Sequence, residues 1–287
     1  MPFYTKCRYT GKKLLGSGLK LIGGKTKTRD IFYNLFPDNI EHYIEPFLGS
    51  ANVLVGTGPY NKETVGDVNT ALINFLHCLQ TKSQELWQAI TRDVNLVTTG
   101  ERAAWINLRD NEPTDPINNA SWFYCVTKYS MNGIFRRNKS GKCNSSFCKT
   151  VKGRGIYTKT WFDTVVKRLE HTSIIESSYP KLLNIAQNSN NSFVFLDPPY
   201  RLVKTVYNGI KFSDQDHIDM KLLLDKANYK WMQTINDDLF VRTLYKDYNI
   251  IEHSIFYSCS QTAAGRSARP ELIITNYKCQ NLTNVRE

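Results

Sequence analysis

Apolar positions along the chain gather into short unbroken runs that alternate with stretches of helical spacing. The clearest run is Ser192-Phe193-Val194-Phe195-Leu196, closed by Asp197-Pro198-Pro199-Tyr200. A short apolar run without alternation marks a strand buried on both faces of a parallel sheet. It must end there: the first proline holds Asp197 extended, and neither proline can donate a ladder hydrogen bond. Further strands are predicted over 43–45, 64–67, 172–176, 230–235, 250–257 and 271–277. Helical patterning is predicted over 71–76, on the Trp87/Ala89/Ile90/Val94 and Trp105/Ile106/Leu108 faces, over 120–127 and around Leu182-Leu183. Ser213, with Asp216 three residues on, reads as the entry of a further helix that takes in His217. Strands alternating with helices give an α/β fold with a mainly parallel sheet.

An acid at the carboxyl end of a buried parallel strand lies where open α/β sheets bind ligands. Three earlier stretches carry further candidate binding residues. Tyr43-Ile44-Glu45-Pro46-Phe47-Leu48-Gly49-Ser50-Ala51 reads as a strand, a small-residue turn and a helix start, the arrangement that lets backbone approach a nucleotide or nucleoside. The full three-glycine fingerprint is absent, so a dinucleotide is not indicated. Asp67 ends the next strand, 22 residues beyond Glu45. That spacing suits an acid holding a ribose diol, and equally a helix N-cap, a role open also to Asn69. Upstream, Gly23-Gly24-Lys25 at a helix start offers backbone N–H groups and a cation to an anion, although a simple turn would use the same residues.

Charge narrows the choice of partner. The chain of 287 residues carries 37 basic and 26 acidic residues, a net +11, which favours a polyanionic partner, nucleic acid above all. The surplus is concentrated: no acid occurs between Asp115 and Asp163, and the span includes Lys128, Arg136, Arg137, Lys139, Lys142, Lys149, Lys152, Arg154 and Lys159. Arg, Lys and Asn interleaved with glycine and aromatics suit a loop that reads DNA, because Arg grips guanine, Asn pairs with adenine and Lys neutralises phosphate. Residues 1–18 read as an irregular arm, and 201–211 as a mobile basic surface loop. Seven dispersed cysteines without a C-x-x-C pair indicate neither a disulfide framework nor a metal site. The N-terminus lacks a signal peptide's apolar core and no run reaches membrane-spanning length, so an intracellular, reduced protein is expected.

Taken in order, these stretches resemble the Dam-like DNA adenine-N6 methyltransferase family of the alpha arrangement: Gly23-Gly24-Lys25, then Glu45-Pro46-Phe47-x-Gly49, a long insert, Asp197-Pro198-Pro199-Tyr200, and a last strand Glu271-Leu272-Ile273-Ile274-Thr275-Asn276-Tyr277. The resemblance runs from Leu19 to Tyr277. It implies a Rossmann-like S-adenosylmethionine-dependent methyltransferase sheet over 1–75 and 165–287, with a mainly helical DNA-recognition insert over 76–164. The implied activity is methyl transfer from S-adenosylmethionine to N6 of a flipped-out adenine in double-stranded DNA, without a metal.

Carried over by position, Asp197, Pro198, Pro199 and Tyr200 form the catalytic set. The cofactor set is Leu21, Gly24, Lys25, Glu45, Pro46, Phe47, Gly49, Asp67, Ser178 and Asp197. Asn132 and Arg136 match DNA-facing positions of a Tyr-Asn-Gly-x-x-Arg segment in which Met131 replaces the aromatic. The basic loop adds Arg137, Asn138 and Lys139, and the arm adds Lys12, to the DNA-binding set. Three departures stand out. Ala51 replaces a usual glycine, which requires a backbone torsion that is not left-handed. Ser178 stands near a usual acid. The loop diverges after Arg137, so a GATC target is not carried over. Alternatives are a cytosine-N4, RNA or glutamine methyltransferase, which usually carry Ser or Asn in place of Asp197, and a non-catalytic DNA-binding relative.

Overall fold

The computed structural model describes residues 16–21, 24–26, 28–148, 158–201, 212–256 and 268–279. The first half runs α1 (Arg29–Leu35), β1 (His42–Glu45), α2 (Asn52–Gly56), β2 (Lys62–Asp67), α3 (Thr70–Thr81), α4 (Ser83–Asp110, broken at Glu101) and α5 (Pro116–Tyr129). The second runs α6 (Lys159–Leu169), β3 (Ser173–Glu176), α7 (Tyr179–Gln187), β4 (Ser192–Leu196), α8 (Asp214–Leu224), β5 (Lys230–Asn236), α9 (Leu239–Leu244), β6 (Asn249–Phe256) and β7 (Ala268–Thr275).

These strands form a seven-stranded sheet in the order β3-β2-β1-β4-β5-β7-β6. The first five are parallel, and β7 runs antiparallel between β5 and β6. From β1 the chain works outward to β2 and β3, then returns to β4 and works the other way. Loops leaving β1 and β4 therefore diverge and leave a crevice at their carboxyl ends. Glu45 closes β1 and Asp197 follows β4, so the two predicted motifs flank that crevice.

All five residues of β4 are buried. Phe193 and Phe195 join Phe32, Phe36, Tyr43, Met232 and Ile273 in the core on one face. Val194 and Leu196 join Ile44, Trp231, Ile235, Leu272 and Ile274 on the other. Each such side chain contributes about 1.5–3 kcal/mol on burial, which is why the unbroken run forms a central strand.

Helix starts follow the local chemistry. Asn69 caps α3 by accepting from Leu72 N at 3.2 Å, so the cap role open to Asp67 is taken by its neighbour. Ser213 and Asp216 form the predicted capping box of α8, and His217 is buried within that helix. Asp115 caps α5, with Pro116 in its first turn.

Between β2 and β3 lie α3 to α6, with α5 packed on α3 and α4. The Arg168 guanidinium of α6 donates to both Glu63 oxygens at 2.9 Å, to Leu54 O at 2.7 Å and to Thr57 O at 3.0 Å, fastening the end of the excursion to β2 and α2. We propose the division into a catalytic part, 1–75 and 165–287, and a recognition insert, 76–164, with α3 straddling the boundary and packing on both α5 and β3. Among the described residues, no helix is long and apolar enough to cross a membrane.

Candidate active site

The two prolines after Asp197 end the β4 ladder and hold the acid at the rim of the crevice, half-buried, with Pro198 buried beneath it. Lys25 Nζ donates to Asp197 Oδ1 at 2.7 Å and to Oδ2 at 2.8 Å, and Thr234 Oγ1 on β5 donates to Oδ1 at 2.9 Å. Nζ also lies 4.8 Å from the centre of the Tyr200 ring. Lys25 is itself buried, its carbonyl accepting from Thr28 N at 3.0 Å and Arg29 N at 2.9 Å at the start of α1. An acid, a cation and an aromatic face thus converge from two distant stretches of chain.

The β1 end supplies the neighbouring wall. Phe47 packs on Tyr179, with ring centres 5.6 Å apart and planes at 25°, and meets Phe212 edge-on at 5.8 Å. Gly49 has φ +49°, a left-handed torsion that favours glycine, and a Cβ added there would meet nothing within 4 Å. Its N–H donates to Asp67 Oδ2 at 2.9 Å, while Asn69 N donates to Oδ1 at 2.9 Å. Desolvation pushes the Asp67 carboxyl up from its ordinary value, opposed by the backbone N–H groups of Gly49, Asn69 and Val68. Pro46 is buried, and Gly24 presses close to Ser50 and Asn52, where a Cβ would lie 3.0 Å from Ser50 Oγ. Leu21 packs half-buried against the core.

Ala51 departs from expectation. Its torsions are φ 55° and ψ 19°, the left-handed region that the replacement of glycine by alanine was expected to avoid. Such a torsion costs an L-residue about 1–2 kcal/mol. The loop is braced by Asn52, whose Nδ2 donates to Ser50 Oγ at 2.8 Å and whose Oδ1 accepts from Ser17 N at 3.0 Å.

Glu45 lies inside the wall. It is 2% exposed and accepts from Tyr43 Oη at 2.8 Å. Burial holds its carboxyl well above the usual carboxylate range, outweighing that bond and one from the Leu54 amide, and the nearby Asp197 charge acts in the same direction. Ser178 is exposed ahead of α7 and makes no side-chain cap, although Ser177 N next to it bonds Asp67 O at 3.1 Å.

Residues 130–147 of the basic stretch form an antiparallel ribbon after α5, pinned by bridges Ser130–Phe147 and Arg137–Cys143. Asn132 and Arg136 are exposed, Asn132 at a left-handed φ of 56°. Arg136 donates to Asn144 O at 3.1 Å and to Ser146 Oγ at 2.8 Å. Gly133 underlies the N-terminal segment, where a Cβ would sit 2.6 Å from Lys20 O.

Two members of the expected DNA set have their polar groups engaged by other parts of the protein. Arg137 forms a two-pronged pair with Glu112, at 2.7 and 2.6 Å, and its guanidinium lies over Phe135 and Trp122. Asn138 spends its Oδ1 on Ser140 N, Ser140 Oγ and Lys142 N, holding the ribbon tip. Lys139 and Lys142 stand exposed at that tip. Lys12 lies outside the described residues, as does all of the expected 201–211 loop except Arg201, which pairs with Asp214 and Asp238.

The sequence reading missed Thr234 and Tyr43. Gln233 and Thr234 are polar residues inside an otherwise apolar strand, and a buried polar pair in a central strand signals a specific partner.

A family model described as D12 class N6 adenine-specific DNA methyltransferase matches residues 21–259. The chain belongs to that family. The match takes in Leu21, Lys25, Phe47, Asp67, the ribbon and Asp197 through Tyr200, and ends before β7. Among individual relatives, the type II methyltransferase M.CviBI of Paramecium bursaria Chlorella virus NC1A is 28% identical over 243 residues, covering 83% of this chain and 90% of the relative. The modification methylase StsI of Streptococcus sanguinis is 28% identical over 307 residues, covering 96% of this chain and 45% of the relative. The DNA adenine methylase of Vibrio cholerae serotype O1 is 24% identical over 271 residues, covering 89% and 94%. Membership makes the protein an adenine-specific DNA methyltransferase, in place of the cytosine, RNA and glutamine alternatives.

Proposed function

We propose that the protein methylates N6 of an adenine turned out of double-stranded DNA at a specific site, with S-adenosylmethionine as donor. The observation that carries this reading is the Asp197 carboxylate at the end of β4, fixed by Thr234 and Lys25 beside the Tyr200 ring. The target amine is buried in the duplex stack, so the base must be extruded at a cost of about a few kcal/mol. Tyr200 would stack on the extruded ring.

An exocyclic amine is a weak nucleophile because its lone pair is delocalised into the ring. Asp197 and the Pro198 carbonyl would accept its two hydrogens, favouring the pyramidal nitrogen and stabilising the charge that grows there. The rigid Pro-Pro turn keeps these acceptors in place, and orientation of the reacting groups lowers the barrier further.

The crevice suits the donor. Open space over Gly49, the Asp67 carboxylate at the end of β2 and the Phe47–Tyr179 aromatic wall offer a close backbone approach, a diol acceptor and an apolar face. S-adenosylmethionine supplies an electrophilic methyl when bound. Asp67 would hold the ribose hydroxyls, and Phe47, Gly49 and the Lys25 turn would line the remainder. Leu21, Gly24, Glu45, Pro46 and Ser178 are read as its supporting surround.

DNA would meet Asn132, Arg136 and Lys139, with Lys142 beside them. The relatives named as type II methyltransferases and a modification methylase favour a role as partner of a restriction system. The test is to incubate purified protein with unmethylated DNA and S-adenosylmethionine, then map modified bases by single-molecule sequencing. N6-methyladenine at one short motif is expected; no incorporation, or methyl on cytosine, would overturn the reading.

A further inference from the structure

The Lys25 ammonium makes the contacts that the reaction asks of the substrate. It donates to both oxygens of Asp197, at 2.7 and 2.8 Å, and lies 4.8 Å from the centre of the Tyr200 ring. A base stacked on that ring with its amine on Asp197 would have to enter the space beside the ring in which Nζ now lies. Like an ammonium, an exocyclic amine presents N–H donors to a carboxylate. A stacked base with its amine on Asp197 would fill the volume that Nζ fills.

We propose that Lys25 is a placeholder for the substrate amine, and that the target base enters by exchange, its amino group taking Asp197 over from Lys25. This rests on the adenine-methylating reading above. The exchange is a movement of side chain and not of backbone, because the Lys25 carbonyl is held by Thr28 N and Arg29 N at the start of α1. Four rotatable side-chain bonds give the ammonium the freedom to swing aside. The resident cation keeps a half-buried carboxylate paired and correctly turned before substrate arrives, which an empty site would not.

The exchange also sets a threshold. A neutral amine must replace a cation at an anion, so the base needs support from DNA contacts elsewhere to displace it. Extrusion at a cognate site, backed by the ribbon, meets that requirement; extrusion elsewhere does not. Lys25 is therefore a positioning residue that sharpens discrimination through Asp197.

The test uses the full-length protein and a duplex containing a site at which the wild type methylates adenine. Permanganate oxidises unstacked thymine, so it reports the thymine left opposite an extruded adenine. Lys25→Met should raise oxidation at least threefold at the cognate site, and raise it also at a site altered by one base pair, while Lys25→Arg stays near wild type. Lys25→Gln carries the same expectation as Lys25→Met and replaces it if that variant does not fold. Oxidation at or below the wild-type level in the folded neutral variant overturns the placeholder alone. A wild type that methylates no DNA overturns the functional reading and the placeholder with it.

Discussion

Lys25 Nζ bridges the two carboxylate oxygens of Asp197 across 172 residues of chain. The contact joins the segment ahead of α1 to the end of β4, so the acid is oriented by a residue that enters the fold long before it. Thr234 approaches the same carboxylate from β5 at 2.9 Å. Asp197 is therefore held by two donors, one on the segment ahead of α1 and one on β5.

Thr234→Val keeps the side-chain shape and removes the hydroxyl donor. Hydrogen bonds to charged groups contribute about 1.5–3 kcal/mol, and here Lys25 retains part of the orientation. Single-turnover methylation should slow about tenfold, with KM for DNA and for donor changed by no more than about threefold. An unchanged rate would mean that Thr234 does not set the acid.

The ribbon separates cations that face solvent from one that is structural. Lys139→Ala or Lys142→Ala should each lower the slope of log affinity against log salt by about 1, without altering stability. Arg137→Ala should leave that slope in place and cost about 1–2 kcal/mol in urea unfolding, from the lost Glu112 pair and the contacts with Phe135 and Trp122. A lost unit of salt slope with unchanged stability would put Arg137 on the DNA instead.

Glu45 predicts a pH signature. Burial raises its carboxyl well above the ordinary value, so the folded chain keeps a proton that the unfolded chain releases at about pH 4.3. Above that pH the unfolded state binds fewer protons, and the group's contribution to stability falls as pH rises until the folded value is reached. Glu45→Gln retains an acceptor for Tyr43 and carries no titrating proton. Its stability relative to wild type should grow from pH 5 to pH 7, by at most about 1.4 kcal/mol per unit in urea unfolding. A difference that stays flat or shrinks would show that the carboxyl titrates normally.

Much of the fold was legible because its signals are local. The apolar run of β4, its proline stop and the Ser213–Asp216 capping box each lie within a few residues. Asp197, Tyr200 and Lys25 lie together at the end of β4, a meeting that depends on how the segment ahead of α1 packs across the sheet. Thr234 escaped notice because its meeting with Asp197 depends on the pairing of β4 with β5, in which Leu196 stands opposite Gln233. Arg137 and Asn138 were read from composition, which counts cations and amides but cannot say which fold back onto Glu112 or close a turn. Ala51 shows the opposite limit: an ordinary alanine in the sequence takes a left-handed torsion in a loop tied to Asp67 at Gly49 and to Ser17 at Asn52.

The most direct measurement compares Asp197→Ala with wild type for DNA binding and methyl transfer on the same duplex. Removing the carboxylate takes away an acceptor that stabilises charge at the amine, an effect of about 10²–10³ in rate for a single preorganised group. DNA affinity within about threefold of wild type, with methyl incorporation reduced by at least that factor, is the expected result. Methyl transfer at the wild-type rate in Asp197→Ala would contradict the assignment of this site.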